Sequence, residues 1–133
     1  MAESDKKIIL VIEDETMVKM LVVDVLNDLG FATLEATDAK TALPILQSDQ
    51  PIDMLITDIG LPGMNGWELA RLARESRPAL RILFLTGDES AQSKDVDRDE
   101  SQEVMAKPFD MGEFEAKVSA MMAAPIENGT VQS

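Results

Sequence analysis

The sequence predicts an α/β domain built on an open parallel sheet with helices on both faces. Short apolar runs alternate along the chain with segments in which apolar residues recur at helical spacing. The runs are continuously apolar, as is typical of strands that are covered on both faces. An alternation of strands and helices of this kind favours a parallel sheet with right-handed crossovers.

Five strands are predicted from the apolar runs, and the fifth is the weakest of them. The strands cover residues 8–12, 31–36, 54–56, 82–85 and 104–106. Helical periodicity between and after these strands predicts helices over residues 18–29, 38–47, 67–73 and 111–122.

Three features modify these helices. Gly30 is placed to end the first helix, and Pro44 is expected to kink the second or to set its effective start. The stretch from Asp88 to Glu103 is rich in acids, and Val96 is its only large apolar residue. A fourth of five helices is therefore expected there, but it would bury almost nothing, and we expect it to be short or mobile.

Length and composition indicate one domain with loose ends. The chain has 133 residues, enough for a single hydrophobic core. We expect an N-terminal extension at residues 1–6, the domain at residues 7–123, and a flexible C-terminal tail at residues 124–133. Met1 and the compact ends favour a stand-alone protein, although a domain excised from a longer kinase remains an alternative.

The composition excludes several classes of function. A net charge of −13 disfavours direct contact with nucleic acid or an anionic membrane, and no apolar run is long enough for a membrane span. The chain contains no cysteine, which fits a cytoplasmic location. It also contains no histidine, so any phosphohistidine chemistry must come from another protein.

Polar residues follow the predicted strands at the edge where the site of an open parallel sheet is expected. They are Glu13 and Asp14 after the first strand, Asp58 after the third, Thr86 after the fourth and Lys107 after the fifth. Any one of these positions is explained by the start of a loop. Three clustered acids, however, repel one another unless a positive group neutralises them.

The acids and their order indicate a Mg²⁺ site beside a nucleophile. Mg²⁺ prefers oxygen ligands, which Asp14 and Asp58 supply directly and Glu13 supplies directly or through water, while the calcium loop of an EF-hand is absent. Asp58 is the expected nucleophile because its strand is central and a loop rich in Gly and Pro follows it. In that loop, Gly60 allows a backbone carbonyl to approach the metal.

The chain resembles the response-regulator receiver domains of two-component signalling over residues 7–123. Four segments carry this resemblance in order and at the family's spacing: Val11-Ile12-Glu13-Asp14, Thr57-Asp58-Ile59-Gly60-Leu61-Pro62-Gly63-Met64-Asn65-Gly66, Leu85-Thr86-Gly87 and Ala106-Lys107-Pro108-Phe109. The resemblance implies a flavodoxin-like, doubly wound sheet of five strands in the order 2-1-3-4-5.

The resemblance also implies the role of each site residue. Asp58 matches the phosphoacceptor, Glu13 and Asp14 the acidic metal pair, and Gly60 the carbonyl ligand of Mg²⁺. Thr86 matches the switch hydroxyl and Lys107 the lysine that pairs with the phosphoryl group, in a Lys107–Pro108 bond expected to be cis.

The partners and activity that the resemblance implies are those of a signalling protein. The expected partners are a sensor histidine kinase or a histidine phosphotransfer protein, together with a downstream protein target. The chain is expected not to be a conventional enzyme, although it would catalyse its own phosphoryl transfer and autodephosphorylation.

Two departures from the family pattern affect the expected switch. Val104 stands where many receivers carry Tyr or Phe, so the usual coupling of a hydroxyl to an aromatic side chain cannot operate in that form. Gly87 stands where many carry Ala. With the acidic segment that follows, this resembles receivers with a mobile fourth helix, and the hypothesis is that phosphorylation orders residues 88–103.

Three other functions compete with this interpretation. An aspartyl phosphatase usually needs a second Asp two residues after its nucleophile, and Gly60 occupies that place. A pseudo-receiver that binds partners without phosphorylation is disfavoured by the complete set of site residues. A nucleotide binder would need a phosphate-cradling loop after the first strand, where Glu13, Asp14 and Glu15 would repel phosphate. The output is expected to be a protein contact, a relay step or a phosphate sink.

Overall fold

A computed structural model describes residues 6–61, 63–87, 102–107 and 109–123. In chain order its elements are β1 (Ile8–Ile12), α1 (Thr16–Asp28), β2 (Ala32–Ala36), α2 (Ala39–Leu46), β3 (Met54–Asp58), α3 (Gly66–Ser76), β4 (Arg81–Thr86), β5 (Gln102–Ala106) and α4 (Met111–Ala123). The predicted fourth helix falls mostly on residues 88–101, outside the described residues. So do Pro108, with its predicted cis bond, and the predicted N-terminal extension up to residue 5 and C-terminal tail.

The five strands form one parallel sheet in the order β2-β1-β3-β4-β5, as predicted. Successive residues of a strand point to opposite faces, so Leu10 and Ile12 enter the core beneath α2 and α3. Ile9 and Val11 enter the core beneath α1 and α4. Both faces are covered, which explains why this strand is apolar at every position. Among the described helices, none combines the length and apolar character that a membrane span requires.

Strand pairing corrects two of the predicted boundaries. The acidic stretch was expected to run to Glu103, but β5 already begins at Gln102, because Gln102 and Glu103 pair with Ile82 and Leu83 of β4. Strand β2 begins one residue later than predicted, and Phe31 instead packs against the core beneath α1 and α4.

Pro44 lies inside α2 and neither ends this helix nor sets its start. The helix begins after Asp38, whose side chain accepts a hydrogen bond from the backbone N–H of Thr41 at 2.8 Å. This hydrogen bond lowers the pKa of Asp38. Proline removes the donor to the carbonyl four residues earlier, that of Lys40, and both residues are exposed, so water can satisfy this carbonyl.

Arg77 fastens the end of α2 to the segment after α3. Its guanidinium donates to the backbone carbonyls of Leu46 at 2.8 Å, Ser48 at 2.9 Å and Gln50 at 2.7 Å. Carbonyls at a helix C-terminus lack partners within the helix, and the planar guanidinium offers several donors in a fixed geometry. The two connections at this end of the sheet, opposite the predicted site, are therefore held by one side chain.

Replacing Arg77 by methionine is expected to lower the free energy of unfolding by about 2 kcal/mol, because several charged hydrogen bonds are lost at once. Urea denaturation measures this change. Arg71→Met is the control, because Arg71 makes an exposed ion pair with Glu75 at 3.7 Å that contributes at most about 0.5 kcal/mol. Equal midpoints for the two variants would contradict the proposed role of Arg77.

Candidate functional site

Four strand ends meet at one edge of the sheet and bring the predicted site residues together. Asp58 is the last residue of β3 and pairs with Leu85 of β4, and Thr86 is the last residue of β4. The N–H of Lys107 donates to the carbonyl of Thr86 at 2.6 Å, so the lysine directly follows β5. The N–H of Glu13 donates to the carbonyl of Ala36 at 3.3 Å, at the end of β1.

Glu13, Asp14 and Asp58 form an acid cluster, in which one carboxylate oxygen of each residue lies within 4.8 Å of the others. Glu13 is fully buried, Asp58 is 8% exposed and Asp14 is exposed. Burial disfavours the charged form, and it raises the pKa of Glu13 together with the charge of Asp58, against the opposing effects of the Glu15 N–H and of Lys107. The cluster therefore holds more negative charge than its burial favours.

Lys107 is the cation that this cluster contacts. Its Nζ lies 2.9 Å from Oε1 of Glu13, 3.1 Å from Oδ2 of Asp58 and 3.3 Å from Oε1 of Glu15. Burial alone would lower the pKa of Lys107, but the carboxylates of Glu13 and Asp58 outweigh it and raise the pKa above its ordinary value. Lys107 thus stays an ammonium ion beside Asp58.

The acid cluster fits a hard divalent cation such as Mg²⁺. All of its side-chain donors are carboxylate oxygens, which is the chemistry that Mg²⁺ prefers. Within the described part of the chain, the buried Oε1 of Glu13 accepts no hydrogen bond, and its contact with Lys107 is an ion pair. One ammonium does not neutralise three acids, so the cluster has charge left for a second cation.

Thr86 and Val104 are placed as the predicted switch residues require, although their roles stay predictions. Thr86 is 3% exposed at the end of β4, beside the strand that carries Asp58. Val104 is half-buried and pairs with Phe84, whose ring lies 4.3 Å from that of Trp67. The space beside β4 and β5 is therefore lined by Trp67 and Phe84, with an aliphatic side chain at position 104.

Two glycines follow Asp58 and differ in what the fold requires of them. The N–H of Gly60 donates to Oδ1 of Asp58 at 3.3 Å, and no described atom lies within 4 Å of the place where its Cβ would be. The predicted use of its carbonyl as a metal ligand stays a prediction. At Gly66 a Cβ would lie 2.5 Å from the carbonyl oxygen of Asp58, so α3 can begin there only because the residue is glycine.

Sequence reasoning missed three residues that contact the site. Glu15 contacts Lys107, and the only signal for it was a third acid directly after Glu13 and Asp14. Gly66 had been noted only as part of a tight loop. The hydroxyl of Thr57 is fully buried and donates to the carbonyl of Asp58 at 3.0 Å, which no pattern in the sequence indicates.

Comparison with known proteins places these features in one family. The profile of the response regulator receiver domain matches residues 9–119. The response regulator receiver protein CpdR of Brucella abortus is 34% identical over 119 residues, which cover 89% of this chain and 98% of that protein. The chain spans about half the length, 50 to 51%, of several transcriptional regulators that it also matches, such as ArcA of Escherichia coli.

Solved structures agree with this similarity. A response regulator receiver protein from Sinorhizobium medicae superposes with a TM-score of 0.79 at 28% identity, over 91% of this chain and 98% of that one. The receiver domain of the hybrid histidine kinase CckA superposes with a TM-score of 0.73 at 28% identity, over 86% of this chain and 98% of that one.

Proposed function

The chain belongs to the response-regulator receiver domain family, and on that basis we propose that Asp58 accepts a phosphoryl group from a phosphohistidine of a partner protein. One observation carries this proposal. The carboxylate of Asp58 is nearly buried, belongs to the acid cluster, and lies 3.1 Å from the ammonium of Lys107. A nucleophile, a cation site and a fixed positive charge thus meet at one point.

The proposed reaction is a transfer between two proteins. A carboxylate oxygen of Asp58 forms a bond to phosphorus as the bond from phosphorus to the donor imidazole breaks, and the imidazole takes up a proton. Lys107 holds its positive charge beside the phosphoryl oxygens, and the hydroxyl of Thr86 donates to one of them. Mg²⁺ held by Glu13, Asp14, Asp58 and the Gly60 carbonyl would neutralise charge on the phosphoryl oxygens.

The expected partners are a sensor histidine kinase or a histidine phosphotransfer protein, and a downstream protein target. The similarity to the receiver of the hybrid kinase CckA supports a kinase-linked donor. Output through a protein contact or as a phosphate sink, self-catalysed dephosphorylation instead of conventional enzyme activity, and a cytoplasmic location belong to the same proposal. A receiver excised from a hybrid kinase would carry out the same chemistry at Asp58.

Incubation with acetyl phosphate, which replaces the partner protein as donor, tests the proposal. Intact mass is expected to increase by one phosphoryl group in Mg²⁺ and not in EDTA. No increase in Mg²⁺ would contradict the proposal and favour a pseudo-receiver that binds partners without phosphorylation.

Replacing Asp14 by asparagine is expected to separate the metal from the fold. In EDTA the variant is expected to be more stable than the wild type by about 1 kcal/mol, because it removes a like charge within 4.8 Å of two others in an exposed setting. The wild type should gain about 2.7 kcal/mol from Mg²⁺ at 100 times its dissociation constant, and the variant should gain little. Thermal unfolding in EDTA and in Mg²⁺ measures both effects.

Asp24→Asn is the control for the Asp14 variant, because Asp24 is an exposed acid on α1 outside the acid cluster. It should respond to Mg²⁺ as the wild type does. Full stabilisation of the Asp14 variant by Mg²⁺ would show that this aspartate is not a metal ligand.

A further inference from the structure

Glu15 contacts the proposed site at two points, although it is neither part of the acid cluster nor the phosphoacceptor. Its backbone N–H donates to Oε2 of Glu13 at 3.0 Å. Its own Oε1 lies 3.3 Å from Nζ of Lys107, while its side chain is 62% exposed. It therefore bridges an acid that would bind the metal and the lysine that would bind the phosphoryl group.

The side chain of Glu15 is not occupied as a helix cap. Glu15 is the N-cap residue of α1, a position at which a side-chain oxygen usually accepts a hydrogen bond from the first turn. Its side chain makes no such bond, and the residue has the extended backbone of a cap. The carboxylate is instead directed to Lys107, so helix capping does not explain it.

Of the three acids around Lys107, Glu15 is the one that the metal would leave to the lysine. Glu13 and Asp58 belong both to the acid cluster and to the partners of Lys107, whereas Glu15 belongs only to the latter. A divalent cation on the cluster would draw lone pairs of Glu13 and Asp58 to itself and would repel the ammonium. Lys107 would then need another anion to stay near Asp58.

We propose that Glu15 is a positioning residue that keeps the ammonium of Lys107 beside Asp58 when Mg²⁺ occupies the acid cluster. The ammonium is then in place to meet a phosphoryl oxygen during transfer. This inference rests on the proposed function, because it assumes that Asp58 is phosphorylated with Mg²⁺ bound.

The test compares rates of phosphorylation by acetyl phosphate at saturating Mg²⁺. Glu15→Gln keeps the size of the side chain and its backbone N–H but removes the charge, and it is expected to slow the reaction roughly two- to fivefold, as for a partly exposed ion pair. The effect should lie in the maximal rate and not in the Mg²⁺ affinity. Glu115→Gln, at an exposed acid on α4, removes the same charge elsewhere and should react at the wild-type rate.

A double-mutant cycle with Lys107→Gln separates positioning from a general effect of charge. If Glu15 acts through Lys107, its substitution should have no further effect once Lys107 is replaced. An equal slowing in both backgrounds would overturn the inference. So would a wild-type rate in Glu15→Gln, whereas an unmodified wild type would overturn the proposed function itself.

A second measurement applies even if the Lys107 variant reacts too slowly to follow. With Mg²⁺ alone, the side-chain nitrogen resonance of Lys107 should show a slowly exchanging ammonium in the wild type and faster exchange with water in Glu15→Gln. Identical exchange in the two proteins would show that Glu15 does not hold the lysine.

Discussion

Replacing Asp58 by asparagine is expected to lower formation of the acyl phosphate by more than about 100-fold, because the variant lacks the only oxygen nucleophile that the proposal assigns. The amide of asparagine has nearly the size of the carboxylate and can still accept a hydrogen bond from Lys107, which lies 3.1 Å away in the wild type. The fold should therefore remain intact. Intact mass after incubation with acetyl phosphate and Mg²⁺ measures the loss.

The stability of the Asp58 variant depends on two opposing effects. The substitution removes a negative charge from the acid cluster, which relieves repulsion with Glu13 and Asp14. It also removes one of the three anions that surround Lys107. Because these effects partly cancel, we expect a change in the free energy of unfolding of less than about 1 kcal/mol.

Asp53→Asn is the matched control for the Asp58 variant, because Asp53 precedes the opposite end of the same strand. Its Oδ2 accepts a hydrogen bond from the N–H of Ile8 at 2.8 Å, and asparagine retains this acceptor. The control should be phosphorylated at the wild-type rate. Modification of Asp58→Asn to the wild-type level would move the phosphoacceptor to another residue.

The sequence was sufficient to predict the sheet and the residues at its edge. Strand β1 is apolar at every position because the core covers both of its faces, so the run itself predicts a central parallel strand. Once the sheet is parallel, the carboxyl ends of all strands must meet at one edge, which brings Asp58 and Lys107 together across 49 residues of chain.

The contacts missed by the sequence analysis depend on side-chain geometry and not on periodicity. Glu15 and Lys107 are 92 residues apart, and nothing in a run of acids says which one reaches a lysine. The guanidinium of Arg77 reaches back 31 residues to Leu46, where a charged residue in a turn would ordinarily be assigned to solvent. Pro44 was misjudged for a related reason, because its effect on α2 depends on whether the freed carbonyl is exposed.

Gly66 is the position at which the packing of α3 and the chemistry of Asp58 meet. Its N–H donates to the carbonyl of Ile59 at 2.8 Å, and the side chain of Asn65 caps the helix by accepting from the N–H of Glu68 at 2.9 Å. The first turn of α3 is thereby fixed directly against the backbone of Asp58 and Ile59. A Cβ at Gly66 would lie 2.5 Å from the carbonyl oxygen of Asp58 and 2.9 Å from Cα of Ile59.

Replacing Gly66 by alanine is therefore expected to lower the free energy of unfolding by about 3 kcal/mol, the upper part of the range for overpacking a rigid site. Both clashing atoms belong to the backbone, so no side chain can rotate away to relieve the contact. Urea denaturation measures this loss. Gly87→Ala is the control, because no described atom lies within 4 Å of the place where its Cβ would be, and it should change stability by less than about 0.5 kcal/mol.

The same substitution is expected to slow phosphorylation more than its effect on stability explains. Relief of the clash must move α3 or the backbone that carries Asp58, and a displacement of about 1 Å at a reacting group can lower a rate by roughly 100-fold. Rates measured without denaturant, where circular dichroism shows the variant to be folded, separate displacement from unfolding. A Gly66→Ala protein that unfolds at the midpoint of Gly87→Ala and reacts at the wild-type rate would show that α3 moves away without disturbing Asp58.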